Sequence, residues 1–418
     1  MRTVRVWKQV LGLQSGVVVE GVELEDAGAG EQVLVARVRT SRRAGGRCPH
    51  CRRRRSRYDA GGGVRRWRGL DLGSTRVFVE AAAPRVRCRV HGVVVAAVPW
   101  ARHDSPFTTG FEDQAVWLAA HAPATTVAEL LRSSWRAVMH MVARVVAEAA
   151  ARTDRLTGLR RIGIDEKSYR KGQRYLTVVT DLLTGRVVWT GTGRSQAVVA
   201  SFFTDLGPAR AAALTHVACD GADWIHPVVA EHAPDAIICL DPFHAVAWAG
   251  ERVEQVRRRL VRELRAGGRD EDAAGLKGSR WAVLKDPSKL TGDQQVTLAS
   301  IKTTNGPLYR AYLIKEQLRE AFRVKGEGGR TLLNGVIMWA ERSRIPEMAA
   351  LAKTLRRYRQ AIYNALDHAV SNARAEATNT HIAALVHRSY GFHSPQALTA
   401  MIELTRGGLC PDLPGRTA

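Results

Sequence analysis

Residues 161–179 read RIGIDEKSYRKGQRYLTVV. An apolar run, Ile162–Ile164, stops on two adjacent acids, Asp165 and Glu166. A basic polar segment follows, and apolar–polar alternation resumes at Tyr175. The pattern predicts strands over 161–164 and 175–180 joined by a turn at 167–174. Neighbouring side chains on a strand point to opposite faces. One acid at most therefore faces a given site. We read Asp165 as that residue and Glu166 as support, in a salt bridge toward Lys167 or Arg170.

Two further apolar runs end on acid: THVAC before Asp220 and AIICL before Asp241. A fourth acid, Glu376, lies in SNARAEATNTHIAALVHRSYGF (371–392). Its spacing predicts a helix over 371–387, with Asn372, Glu376 and Asn379 at i, i+4 and i+7 on one face. A single acid after a strand is most often a turn or cap residue. Three on strand ends, with a fourth on a helix, are what a two-metal phosphoryl-transfer site needs. Mg²⁺ prefers oxygen ligands, and two ions about 3.5–4 Å apart activate the attacking oxygen and stabilise the leaving one.

The surroundings suit a polyanion. The 418 residues hold 63 Lys+Arg against 40 Asp+Glu, a formal charge of +23. Such an excess speaks about partners rather than fold. An anionic membrane is disfavoured, because no run of about 18 apolar residues occurs and the start MRTVRVWKQV lacks the apolar core of a signal peptide. The expectation is a cytoplasmic protein acting on nucleic acid. At about 100–200 residues per domain the chain holds two to four domains. Val-rich β patterning over 15–40 and 74–90 gives way at Phe107 to helical spacing. Strand character returns at 161, and 245–370 is almost wholly helical in pattern, interrupted by KGEGGR. A Gly/Pro-rich tail ends the chain.

Six cysteines in so long a chain do not make a disulfide scaffold. Cys48-x-x-Cys51 and Cys88-x-x-His91 are two knuckle-type pairs separated by β-patterned sequence, a spacing suited to a tetrahedral structural Zn²⁺ site. His50, beside Cys51, is placed poorly for chelation. Arg52, Arg53, Arg54 and Arg55 follow the first pair and suit phosphate contact, which sets affinity rather than sequence preference. TTVAELLRSSWRAVMHMVARVVAEA (125–149) resembles a helix-turn-helix. Thr125 or Thr126 would cap the first helix, with Glu129 three residues after Thr126. Val127, Leu130 and Leu131 would form its apolar face. In the second helix Trp135, Val138, Met139 and Val142 would point inward, leaving Arg136, His140 and Arg144 for the major groove. The tryptophans are expected to be core rather than platforms for a flipped base.

At this point the residues carry a family resemblance. GIDEKSYRKGQRYLTVVTDLLTGRVV (163–188), ACDGADW (218–224) with DAIICLDPFH (235–244), and SNARAEATN with HRSYGF (371–392) resemble the DDE transposases of bacterial insertion sequences, best the ISL-three family. The resemblance runs from about Cys48 to Phe392, with the motifs in the family's order. It implies an α/β fold: a ribonuclease H-like core interrupted by a helical insertion, preceded by a zinc ribbon and a helix-turn-helix. The implied divisions are 1–104 (β-rich, zinc ribbon), 105–155 (helix-turn-helix), 156–245 (first part of the core), 246–368 (insertion) and 369–418 (rest of the core with the Glu helix and tail).

By motif, Asp165, Asp220 and Glu376 are implied as the catalytic, magnesium-binding set, with two Mg²⁺ (or Mn²⁺) ions. Asp241 and His244 match the family's Asp-x-Phe-His element beside the site. Implied partners are double-stranded DNA, as transposon ends and target, and a second copy of the chain, with no membrane. The setting implied is the bacterial cytoplasm and nucleoid. The chain departs from the family at Ala377, where Gly is usual, at Ala383 and Ala384, where Lys is usual nearby, and at His91, where Cys is commoner. The alternatives are a non-catalytic DNA-binding regulator derived from a transposase and a related ribonuclease H-like nuclease.

Overall fold

Valine-rich segments become strands where a second strand completes their backbone hydrogen bonds. The computed structural model describes residues 2–415 apart from 14, 29, 171, 173, 222, 223, 369–372 and 390. These divide into two units, residues 1–153 with 392–418, and residues 154–391.

The first unit opens with helix α1 (Arg2–Val10). A four-stranded sheet follows, built from β1 (Val17–Asp26), β2 (Gln32–Thr40), β4 (Val64–Leu72) and β5 (Thr75–Ala82) in the order β1-β2-β5-β4. β1 and β2 form the expected antiparallel hairpin. Alternate side chains Val17, Val19, Ala36, Val38, Trp67, Val79 and Ala81 bury one face with Trp100. The other face carries Arg37 and Arg66 paired with Glu23, Glu25 and Glu80. Part of the arginine excess is thus spent on ion pairs within the sheet. A small sheet of β3 (Arg57–Asp59), β6 (Arg85–Cys88) and β7 (Gly92–Val95) carries the second metal-ligand pair.

Three helices follow: α2 (Thr109–His121), α3 (Ala124–Leu130) and α4 (Trp135–Ala150). Ser134 caps α4 by accepting from the Ala137 amide, and Val138, Met141, Val142, Val145 and Val146 form its buried stripe. The expected cap of α3 is corrected. Pro123 holds that position, so Thr125 and Thr126 lie inside the helix. Two expected inward residues also face out: Leu130 is 64% exposed and Trp135 37%. Trp135 instead meets His393 edge-on, with ring centres 5.2 Å apart.

The second unit is built on a five-stranded sheet of β8 (Arg161–Arg170), β9 (Arg174–Asp181), β10 (Val187–Thr192), β11 (His216–Cys219) and β12 (Ile237–Leu240), in the order β10-β9-β8-β11-β12. β9 is antiparallel to β8 and β10, whereas β11 is parallel to β8 and β12. The expected strand end at Ile164 is corrected. β8 runs on through both acids to Arg170, because Asp165–Arg170 continue the ladder with Arg174–Val178. Backbone pairing, not side-chain polarity, decides where that strand stops. α5 (Gln196–Leu206), α6 (Pro208–Ala211) and α7 (Ile225–His232) cover one face, packing Phe202, Phe203, Leu206, Ile225 and Val229 on Ile162, Ile164, Val217 and Cys219.

The helical block expected from about 245 is present: α8 (Pro242–Ala266), α9 (Asp270–Gly278), α10 (Arg280–Leu284), α11 (Gly292–Thr304), α12 (Gly306–Val324), α13 (Gly326–Arg342), α14 (Pro346–Arg357) and α15 (Arg359–His368). These share one apolar core centred on Val253, Val256, Leu308, Ile314, Leu333, Met348 and Leu351. KGEGGR makes no loop. Lys325 alone separates α12 from α13, at a positive φ of 59°. α16 (Ala373–Arg388) then packs on β8.

The last 27 residues correct the division at 369–418. Residues 392–418 belong to the first unit, where α17 (Pro395–Arg406) packs on α4 and α2. Sequence reading left this helix in the tail. Its cap is Ser394, and Leu398, Met401, Ile402 and Leu404 are buried. Trp67 and Trp100 are core as expected, but Trp281 is exposed beneath the Arg280 guanidinium. No helix among the described residues is long and apolar enough to cross a membrane.

Candidate active site and metal centres

Ile164, Cys219 and Leu240 lie in one row across β8, β11 and β12. The next residue of each strand is an acid: Asp165, Asp220 and Asp241. Parallel neighbours in register thus bring three acidic residues to the same level of the sheet. Asp165 shares the face of Gly163, opposite the apolar stripe of Ile162 and Ile164. The α16 helix packs on this strand, and Asn379 donates from Nδ2 to Asp165 Oδ2 at 2.5 Å. The Glu166 amide donates to Asp165 Oδ1 at 2.7 Å.

Electrostatics groups Asp165, Asp241 and Glu376, whereas Asp220 acts on Glu166. Burial raises the Asp165 pKa, with Asp241 adding to the rise, while the Glu166 amide, His244 and Asn379 oppose it. Glu376, in the first turn of α16, is also raised by burial and then by Asp241 and Asp165, with His244 opposing. Asp241 is 3% exposed. It caps α8 by accepting from the Phe243 amide, and its Oδ2 lies 3.8 Å from His244 Nε2. Asp241 thus caps α8 and also acts electrostatically on Asp165 and Glu376. Asn372 lies outside the described residues.

Glu166 points to the other face and its expected partners are corrected. It pairs with Arg194 at 3.3 Å rather than with Lys167 or Arg170. Arg194 lies over the Tyr175 ring, 4.8 Å from its centre. Burial, followed by Asp220 and Asp165, raises Glu166 to about 7, against the pull of Arg194. Its Oε1 is buried without a hydrogen-bond partner. On the face of Asp165, by contrast, Asp165 and Glu376 are crowded oxygen donors that Asp241 pushes up, a donor set that fits hard divalent cations. Among the described residues the carboxylates of Asp165, Asp220 and Glu376 do not close around a single point.

In the first unit, Cys48, Cys51, Cys88 and His91 do close, with all ligand atoms within 4.8 Å of one another. Cys51 Sγ and Cys88 Sγ are 3.8 Å apart, and His91 Nδ1 lies 3.6 Å from Cys48 Sγ and 3.5 Å from Cys88 Sγ. A tetrahedral Zn²⁺ with bonds of about 2.3 Å to sulfur and about 2.0–2.1 Å to nitrogen sets edges of ~3.8 and ~3.5 Å. The set therefore fits zinc. The Val90 and His91 amides donate to Cys88 and, with His91 and Cys51, lower it to about 5. The Arg53 amide does the same for Cys51, lowering it. Burial raises Cys48 instead, so a metal would displace a proton there.

The expected DNA-contact arginines separate into two groups. Arg52, Arg53, Arg54, Arg136 and His140 are exposed. Arg55 turns back toward Cys51 Sγ at 3.8 Å. Arg144 is corrected: it pairs with Glu112, which is fully buried and also holds Arg102 and Ser105. Sequence reading missed Arg102, which binds Glu112, Asp113 and Glu148 together. No local signal marks it, since its partners come from α2 and α4.

Three family models match the chain. One described as a transposase covers 162–402, one described as the zinc-finger of transposase IS204/IS1001/IS1096/IS1165 covers 44–91, and one described as the helix-turn-helix domain of transposase family ISL3 covers 96–146. Similar proteins include a transposase for insertion sequence element IS1557 from Mycobacterium tuberculosis, 48% identical over all of this chain and 98% of that protein. Another is a transposase for insertion sequence element IS1001 from Bordetella parapertussis, 27% identical over 80% of this chain and 82% of that protein. With the transposase model spanning more than half its length and a full-length relative at that identity, the chain belongs to the ISL3 family of transposases.

Proposed function

We propose that this chain cuts DNA at the terminal inverted repeats of its own insertion sequence and joins the freed ends to target DNA. The observation that carries the reading is the shared row of Asp165, Asp220 and Asp241, with the Glu376 helix packed on the same strand. We read the five-stranded sheet as a ribonuclease H-like core, a reading its mixed strand order supports. The divisions at 104, 155, 245 and 368 stand as part of this proposal, with 392–418 moved to the first unit.

Asp165, Asp220 and Glu376 would hold two Mg²⁺ ions, with Asp241 within reach of the same centre. When bound, such ions activate the attacking oxygen and stabilise the leaving oxygen of an in-line displacement. The chain's own residues prepare that chemistry. Asn379 and the Glu166 amide orient Asp165, and Arg194 offsets the charge of Glu166 on the opposite face. In the first step water attacks a phosphorus, the P–O3′ bond breaks, and a 3′-hydroxyl is left. In the second step that hydroxyl attacks a target phosphorus and displaces a target 3′-oxygen. No covalent protein–DNA bond is needed. Zn²⁺ on Cys48, Cys51, Cys88 and His91 would hold the first unit's small sheet, and α4 would present Arg136 and His140 to the major groove. Holding two ends calls for two copies of the chain.

The test is incubation of the purified protein with Mg²⁺ and a duplex carrying the element's ends. Nicking at the 3′ ends followed by joining is expected, and Asp165→Asn abolishes both. Binding without cutting would make the protein a regulator, and cutting without joining a nuclease.

A further inference from the structure

Asp220 ends β11, and the residue that follows it is held from two sides. The Tyr358 hydroxyl donates to the Gly221 carbonyl at 2.7 Å, across 137 residues of sequence. On the other side, a Cβ placed on Gly221 would lie 2.2 Å from Trp248 Cζ2 and 2.4 Å from Cη2. Trp248 and Tyr358 also touch each other, with ring centres 5.3 Å apart, and His226 meets Tyr358 edge-on at 5.4 Å. The indole therefore occupies the space a side chain at 221 would need, and the phenol fixes the carbonyl.

The two aromatic residues come from opposite ends of the helical block. Trp248 lies on α8, its first helix, and Tyr358 at the junction of α14 and α15, its last two. Both pack against the single apolar core that runs through those helices. The insertion thereby reaches back to the strand end from which it departs.

We propose that the helical insertion positions the second catalytic carboxylate, through a clamp of Trp248 and Tyr358 on Gly221. Tyr358 acts as a positioning residue. It fixes the backbone from which Asp220 projects, so that the carboxylate is already placed when a divalent cation arrives. The inference rests on the reading of Asp220 as a metal ligand. Orienting groups of this kind change metal affinity by about 10–100-fold when removed.

The test uses the full-length protein bound to an uncut duplex of its own ends, with Mn²⁺ as the probe. Mn²⁺ affinity is followed by electron paramagnetic resonance, and the signal lost in Asp165→Asn defines the carboxylate site. Tyr358→Phe keeps the ring and its packing and removes only the hydroxyl. It is expected to weaken Mn²⁺ binding about 10-fold, to speed amide exchange in the peptide spanning 217–221, and to leave end binding unchanged. Gly221→Ala is expected to do the same more strongly, with partial recovery on adding Trp248→Leu, which vacates the space. Wild-type Mn²⁺ affinity and exchange in Tyr358→Phe would overturn the clamp. Identical Mn²⁺ binding by wild type and Asp165→Asn would overturn the metal-site reading itself.

Discussion

Asn379 on α16 donates to Oδ2 of Asp165 on β8, a contact that spans 214 residues of sequence. It fixes one oxygen of the carboxylate while the Glu166 amide fixes the other. Asn379→Ala frees Asp165 without removing a charge. Cleavage should fall about 10–100-fold, with the Mg²⁺ concentration for half-activity rising. Asn379→Asp should be worse, because it adds a negative charge beside Asp165. Mg²⁺ titrations of the cleavage rate check both.

Asp241 lies nearer to Asp165 and Glu376 in electrostatic effect than a helix cap requires. Asp241→Asn keeps an oxygen to cap α8 and removes the charge. If Asp241 shares the ions, cleavage should fall ~10³-fold, as removal of a major charge-stabilising group does. If it only caps, the rate should stay within about threefold while stability changes by less than ~1 kcal/mol.

Arg144 and Arg136 lie on the same helix and should fail differently. Arg144→Ala leaves the fully buried Glu112 with one guanidinium fewer. Stability of the first unit should drop by about 1–3 kcal/mol, with the salt dependence of DNA binding unchanged. Arg136→Ala should leave stability alone and reduce the slope of log affinity against log salt by about 1. Thermal melts and binding at several salt concentrations separate the two.

The Cys48–Cys51–Cys88–His91 site should hold about one zinc per chain. Cys88→Ala or a strong chelator should remove it and open residues 44–95 to proteolysis, because a site of this kind is assembled by its metal. His91→Cys should retain the metal. Elemental analysis with limited proteolysis is the check.

Lys315 is buried, bonded to the Leu284 and Lys285 carbonyls and paired with Glu316. Burial holds its pKa below 10.5. Between the lowered folded value and the unfolded one, the unfolded chain binds more protons, so stability rises with pH across that window. The stability difference between wild type and Lys315→Met should therefore shift toward wild type as the pH is raised from neutral toward the ordinary lysine value of about 10.4. Denaturant midpoints at the two pH values measure it.

The residues that announced themselves in sequence were those whose chemistry depends on spacing. Cys-x-x-Cys and Cys-x-x-His fix their own geometry within a turn, and the structure closes them together. Acids at apolar run ends were visible because a strand's composition changes where it leaves the core. Contacts that join distant segments left no such trace. Arg194 on Glu166, Arg102 on three acids and Tyr358 on Gly221 are each set by tertiary packing. The end of β8 was misplaced for a related reason: a polar hairpin tip looks like a turn until its partner strand is known. The α17 helix was missed because Gly and Pro at its flanks masked a buried Leu398–Met401–Ile402 stripe.

The most direct test of the account is a change of metal preference at Asp165. A carboxylate oxygen suits Mg²⁺, whereas a thiolate is a poor Mg²⁺ ligand and better tolerated by Mn²⁺. Asp165→Cys should be inactive on the element's ends in Mg²⁺ and regain 3′-end cleavage in Mn²⁺, while Asp165→Ala stays inactive in both. Equal activity of Asp165→Cys and wild type in Mg²⁺, or cleavage by Asp165→Ala, would contradict the assignment of this site.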